Sequence, residues 1–221
     1  MPSTNIALTR SSGWDKLEAS RHFSRTFYLF GSDTVTKDFA LCLHGILAEI
    51  QSVIDHVDVN AVDTLVEALV KAEKIFLYGQ GRTGHMSRAF AVRLMHLGLD
   101  AHFVGETTTP PISSRDLCLV NSGTGKTRFV YHVAAAAKSA GARLATITAH
   151  PEARIAQMAD IVVTVPAPTK GEASGQKGSL QPAGSLFEQA ALLLMEATVM
   201  VLMDRLQLTA DTLAGRHANI E

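Results

Sequence analysis

The sequence predicts an α/β fold, a three-layer sandwich in which a five-stranded parallel sheet lies between helices. Three observations carry this. Five short apolar runs, bounded by glycines or polar residues, alternate with segments whose apolar residues recur every three or four positions. Strands that read as continuous apolar runs are covered on both faces, and parallel strands need crossovers between them. A length of 221 residues suits one such core with additional helix, since single cores grow to roughly 250 residues before splitting.

Taken in order, residues 1–35 read as an N-terminal extension and residues 36–221 as the domain proper. The extension is polar at first, then aromatic at Phe23, Phe27, Tyr28 and Phe30. Its opening lacks the charged-then-apolar pattern of a secretion signal. Arg10, Arg21 and Arg25 leave an organelle-targeting reading open, against which Asp15 and Glu18 count. Between Val35 and Val57, Phe39, Leu43, Ile46, Leu47, Ile50, Val53 and Ile54 recur at the steps of an amphipathic helix. Val62, Leu65, Val66 and Leu69 mark a second helix over 60–71. The rhythm then changes. Ile75 to Tyr78 is a short β-rich run ending at glycines, and Ser87 to Leu97 reads as helix. Strands are expected at Ala101–Val104 and Leu117–Val120, followed by an alanine-rich helix from Phe129 to Ala140 that stops at Gly141. Arg143–Thr148 is the fourth strand, 151–158 a short helix and Ile161–Val165 the fifth strand. Residues 166–184, rich in glycine and proline, read as a loop, and Ser185–Leu206 as a long closing helix.

Composition excludes several function classes. Hydrophobic residues make up 47% and charged residues 19%, an ordinary globular mixture, and nothing in a formal net charge of −1 favours a nucleic-acid partner. The apolar stretch Ala190–Met203 is interrupted by Glu196 and reads as too short for a membrane span. Cys42 and Cys118 are far apart and in no CxxC arrangement, so two buried free thiols in a reducing cytoplasm are expected.

Chemistry concentrates in two loops. After the first strand, Gly79-Gln80-Gly81-Arg82-Thr83-Gly84 fits GxGxxG. Glycines let backbone approach a phosphate, and the following helix offers free N–H groups and the positive end of its dipole. Alone the pattern leaves three readings open: a dinucleotide, with Glu106 as the ribose-binding acid, another phosphate or sugar ligand, or a tight turn. The third strand ends in Asn121-Ser122-Gly123-Thr124-Gly125-Lys126-Thr127 and runs into a helix. A phosphate there would meet the hydroxyls of Ser122, Thr124 and Thr127 together with the Gly123 N–H; the alternative is an ordinary capped turn. A Walker A loop is excluded, because it needs glycine at position 120 and the residue is Val120.

At these residues the chain resembles the SIS (sugar isomerase) superfamily, and within it the 6-phospho-3-hexuloisomerases. The likeness rests on the two loops, on Arg93-Leu94-Met95-His96-Leu97-Gly98 and Val104-Gly105-Glu106-Thr107-Thr108-Thr109-Pro110, on Gly184-Ser185-Leu186-Phe187-Glu188, and on the tail Arg216-His217-Ala218-Asn219. It covers roughly residues 36–221. Two departures, Thr83 and Thr124 in place of the family's usual serines, keep the hydroxyl and add a methyl that narrows the sugar pocket.

The resemblance implies a SIS domain, a flavodoxin-like or Rossmann-like sheet, and conversion of 3-hexulose 6-phosphate to fructose 6-phosphate through a cis-enediolate. It implies no cofactor and no metal, a small-molecule sugar phosphate as partner, and no nucleic acid or membrane. The setting it suggests is cytoplasmic formaldehyde fixation by the ribulose monophosphate route. Glu188 stands at the family's glutamate position and is the expected base; the alternative is an acid that only stabilises its helix N-terminus. His217 is the second catalytic candidate, placed by the resemblance in a neighbouring subunit's site, with an unstructured tail as the alternative. Gly81, Arg82 and Thr83 are expected to line the substrate site, Arg82 alternatively being a surface charge. A homo-oligomer is expected, a tetramer ahead of a dimer, because the 35–57 helix and the last helix carry more apolar surface than one sheet covers. Two rivals stand beside this reading: a non-catalytic sugar-phosphate-binding regulator, and an isomerase acting on another sugar phosphate.

Overall fold

The five apolar runs pair into a single sheet. The computed structural model describes residues 38–170 and 178–220; the expected extension, residues 1–35, and the middle of the long loop, residues 171–177, lie outside them. The strands are β1 (Ile75–Gly79), β2 (Ala101–Phe103), β3 (Leu117–Asn121), β4 (Arg143–Thr148) and β5 (Ile161–Thr164). All neighbours are parallel, in the order β2-β1-β3-β4-β5. β1 and β3 each extend one residue past their apolar run, because Gly79 and Asn121 still face each other in register.

The helices are α1 (Phe39–Ile54), α2 (Val59–Lys71), α3 (Arg82–His96), α4 (Arg128–Ser139), α5 (Arg154–Met158), α6 (Ser185–Arg205) and α7 (Ala210–Ala214). Among the described residues, those from Gly45 onward form one compact unit, and residues 38–44 belong to another. Alternation along the strands divides the core. Ile75, Leu77, Leu117, Leu119, Ala145 and Ile147 share one cluster with residues of α2, α3 and α6. Cys118, Val120 and Leu144 face the other way, against Val130, Ala134 and Ala137 of α4.

Three expectations need correction. α3 begins at Arg82, five residues before the expected Ser87. Gly81 takes φ +62° as the residue preceding the helix, so the chain turns from strand to helix without a loop. The polar first turn showed no apolar period and hid that start. The stretch Ala190–Met203, read as too short for a span, lies within α6, a helix of 21 residues whose most apolar window has a mean hydropathy of 1.7, long and apolar enough to cross a membrane by composition. Its apolarity has another use: Leu186, Phe187, Ala190, Ala191, Leu194, Met195, Val199 and Leu202 are buried in the core. Of the two free cysteines only Cys118 is buried, its thiol pushed up to about 12 by burial, while Cys42 is half-buried.

The tail is folded as well. Thr209 caps α7 by accepting from the Thr212 N–H. Beyond it, Arg216 Nη1 donates to the His96 carbonyl at 3.0 Å, and its guanidinium lies where a side chain on Gly98 would stand.

Candidate active site

Strand order reverses between β1 and β3, since β2 lies outside β1 while β4 and β5 continue beyond β3. Crossovers on opposite sides leave a crevice at the carboxyl ends of these two strands, the usual ligand position in open parallel sheets. α3 and α4 begin directly after β1 and β3, and the first turn of α6 closes the same place. The pocket so formed has a volume of about 100 Å³. Gln80 and Thr83 line it from the first loop, Asn121 to Thr124 and Thr127 from the second, and Thr169, Lys170, Gly184, Phe187 and Glu188 from across the sheet.

The second loop is held in shape by its own backbone. Gly125 N–H donates to the Ser122 carbonyl and Ala149 N–H to that of Gly123, both at 3.0 Å. Gly125 has φ +60°, and a side chain there would strike the Ala153 Cβ at 2.5 Å. Gly123 meets the ring of Phe187, which leaves no room for a Cβ. Thr127 precedes α4 in the capping position, yet its side chain makes no cap hydrogen bond. Its Oγ1 instead accepts from Ser122 Oγ at 3.3 Å. The first N–H groups of α4 are thus left without a hydroxyl acceptor from Thr127, beside two hydroxyls that face a common space. An oxyanion suits that arrangement in both charge and hydrogen bonding.

Glu188 lies opposite. It sits in the first turn of α6 and is 4% exposed. Arg82 Nε stands 2.9 Å from Glu188 Oε2, and Arg82 Nη1 donates to Ser185 Oγ at 3.4 Å. Oε2 is buried and, apart from this ion pair with Arg82, makes no hydrogen bond. Glu188 lines the pocket, and a carboxylate so placed is equipped to take a proton from whatever fills it.

The structure therefore brings Thr83, Ser122, Gly123, Thr124, Thr127 and Glu188 into one pocket. Gly81 shapes the turn below, and Arg82 flanks the carboxylate from a half-exposed position. His217 is elsewhere. Its ring lies 4.0 Å, centroid to centroid, from that of His96 at the far end of α3, a helix of 15 residues, and so roughly 22 Å from the pocket at 1.5 Å per residue. Sequence reasoning missed Gln80, Asn121, Thr169 and Lys170. Asn121 offered a signal, a polar residue closing an apolar strand; Thr169 and Lys170 come from a distant loop with no pattern of their own. Among the described residues no three His, Cys, Asp or Glu side chains cluster in a way that would hold a metal ion.

Comparison with known proteins adds the family. Residues 68–205 match the SIS domain. The chain belongs to the SIS-domain family. It is 39% identical over 176 residues to the 3-hexulose-6-phosphate isomerase of Bacillus subtilis (strain 168), covering 80% of this chain and 95% of that protein. It is 41% identical over 189 residues to the 3-hexulose-6-phosphate isomerase of Mycobacterium gastri, covering 86% and 92%. Among solved structures, a Methanococcus jannaschii protein for which 3-hexulose-6-phosphate isomerase function was inferred superposes with a TM-score of 0.71 at 32% identity. That match covers 81% of this chain and 98% of the other.

Proposed function

We propose that this chain is a 3-hexulose-6-phosphate isomerase, which moves the carbonyl of a ketose phosphate from C3 to C2, with Glu188 moving the proton. The observation that carries it is the buried Glu188 carboxylate, ion-paired to Arg82, lining one pocket with a hydroxyl-rich helix start. The names of the relatives at 39% and 41% identity point to the same reaction.

In this reading Ser122, Thr124 and Thr127, with the Gly123 N–H and the α4 N-terminus, hold the phosphate. Lys170, at the pocket wall, adds positive charge. Glu188 takes the proton from C2 of the 3-ketose. The C–H electrons form the C2–C3 double bond, and the C3 oxygen becomes the enediolate oxygen. A proton passes from O2 to O3, the C2 carbonyl forms, and Glu188 returns its proton to C3, giving fructose 6-phosphate. No redox partner is required, since C2 is oxidised as C3 is reduced. Arg82 sets the approach of the carboxylate through its contact with Oε2.

His217 acts, in the same reading, in the pocket of a neighbouring copy, because its own chain holds it at the other end of α3. Exposed apolar residues on α3 (Val92, Met95) and α6 (Leu193, Met200, Val201) supply a surface for such an assembly. The direct test supplies formaldehyde, ribulose 5-phosphate and a hexulose-phosphate synthase, and reads fructose 6-phosphate. Turnover is expected, and its absence refutes the isomerase reading. Light scattering at micromolar concentration tests the assembly; a monomeric mass refutes it.

A further inference from the structure

Asn121 is the last residue of β3 and is 2% exposed. Neither its Oδ1 nor its Nδ2 has a hydrogen-bond partner. Buried amides in folded proteins are nearly always paired, and leaving both ends unmet disfavours the folded state. The residue nevertheless lines the pocket. Strand alternation puts it on the face of Leu117 and Leu119, whose cluster includes α3 and α6 residues. Its register partner across the sheet is Gly79, which has no side chain, and the space above Gly79 is taken by Ser87 and the first turn of α3. The amide is thus buried, unpaired and at the wall of the pocket. It immediately precedes the phosphate loop, and Glu188 lines the same pocket.

The oxygens of a phosphate monoester dianion only accept, so they can satisfy Nδ2 but not Oδ1. A sugar carries adjacent oxygens, one able to donate as a hydroxyl and its neighbour able to accept, and that pair matches both ends of a carboxamide. We propose that Asn121 is a specificity-determining residue, whose amide clasps a vicinal pair of sugar oxygens beside the phosphate. Oδ1 accepts from a sugar hydroxyl and Nδ2 donates to the oxygen next to it. Through this contact the site distinguishes a sugar phosphate from phosphate itself. The inference rests on the sugar-phosphate reading of the same pocket. It predicts discrimination of the size seen wherever a site built to hydrogen-bond a hydroxyl is offered a ligand lacking it.

The experiment compares Asn121→Leu, close in shape and unable to hydrogen-bond, with the wild type. Affinities for fructose 6-phosphate and for inorganic phosphate are measured by calorimetry, alongside a thermal melt. The wild type is expected to prefer fructose 6-phosphate. Asn121→Leu is expected to bind it at least 10-fold more weakly, to hold inorganic phosphate as before, and to melt no lower, since an unpaired buried amide has gone. Unchanged preference overturns the proposal. A parallel loss of both ligands or a collapse of the melt points to a purely structural residue; Asn121→Ala, which needs no extra room, is then measured, and the same parallel loss overturns the proposal. Turnover of 3-hexulose 6-phosphate by the wild type is read separately. A wild type that turns over, with unchanged preference in the variant, refutes only the role of Asn121; a wild type that does not turn over refutes only the isomerase reading.

Discussion

Replacing Glu188 by Gln separates chemistry from folding at this site. The side chain keeps its size and loses its basicity. The partner left behind is Arg82, whose side chain is 56% exposed while that of Glu188 is 5% exposed. The change therefore removes the buried charge and leaves the one that water can solvate. Breaking an ion pair is severe when the orphaned charge is buried; here the orphan is exposed, and such contacts contribute about 0–1 kcal/mol. For a domain of this size that is a shift of at most about 2–4 °C in Tm. Catalysis responds on another scale. A positioned general base contributes about 10²- to 10⁴-fold, or about 3–5 kcal/mol of barrier. In the coupled fructose 6-phosphate assay kcat is expected to fall by that factor with KM little changed, as for an interaction that matters only in the transition state. Full activity in Glu188→Gln refutes the assignment of the base. Loss of activity accompanied by a large loss of Tm refutes the claim that the residue acts through chemistry.

Other consequences follow from the same geometry. Thr127→Val removes one pocket hydroxyl without changing shape and is expected to weaken sugar-phosphate binding by about 1–3 kcal/mol, read by calorimetry; unchanged affinity removes Thr127 from the site. Gly84→Ala would place a Cβ 2.5 Å from the Gly79 carbonyl oxygen, and since backbone must move, a loss of about 1–3 kcal/mol is expected in urea unfolding. His96 is held below its ordinary pKa by burial first, then by His217 and Arg93. The unfolded chain takes up a proton that the folded one refuses, so stability is expected to fall as pH drops through the ordinary histidine range near 6.5. His96→Gln should flatten that slope in pH-dependent melts. Mixing Glu188→Gln with His217→Asn protein under proven subunit exchange is expected to restore part of the activity. An inactive mixture refutes a site shared between copies.

How far the sequence revealed this arrangement depends on what each residue does for its own segment. Short apolar runs and glycine loops are local features, so the five strands, the two glycine loops and the hydroxyls of the second were legible; the strand order that sets the crevice at β1 and β3 was not. The start of α3 was not, because Gly81 and the close approach of Gly84 to Gly79 replace the apolar period that marks a helix. Lys170 and Thr169 reach the pocket from a loop whose pattern says only that it is a loop. α6 carries the deepest ambiguity. It is apolar nearly all round, which fits a core helix, a membrane span and an association surface equally well. Packing resolves the first: Ala190, Ala191, Leu194 and Leu202 face the core, while Leu193, Met200 and Val201 do not. The residues left outside lie on the helix whose first turn carries Glu188. If a partner covers that face and Glu188 is the proposed base, the partner would brace the element that positions it, and assembly and catalysis would then depend on one helix rather than on two separate demands on the chain.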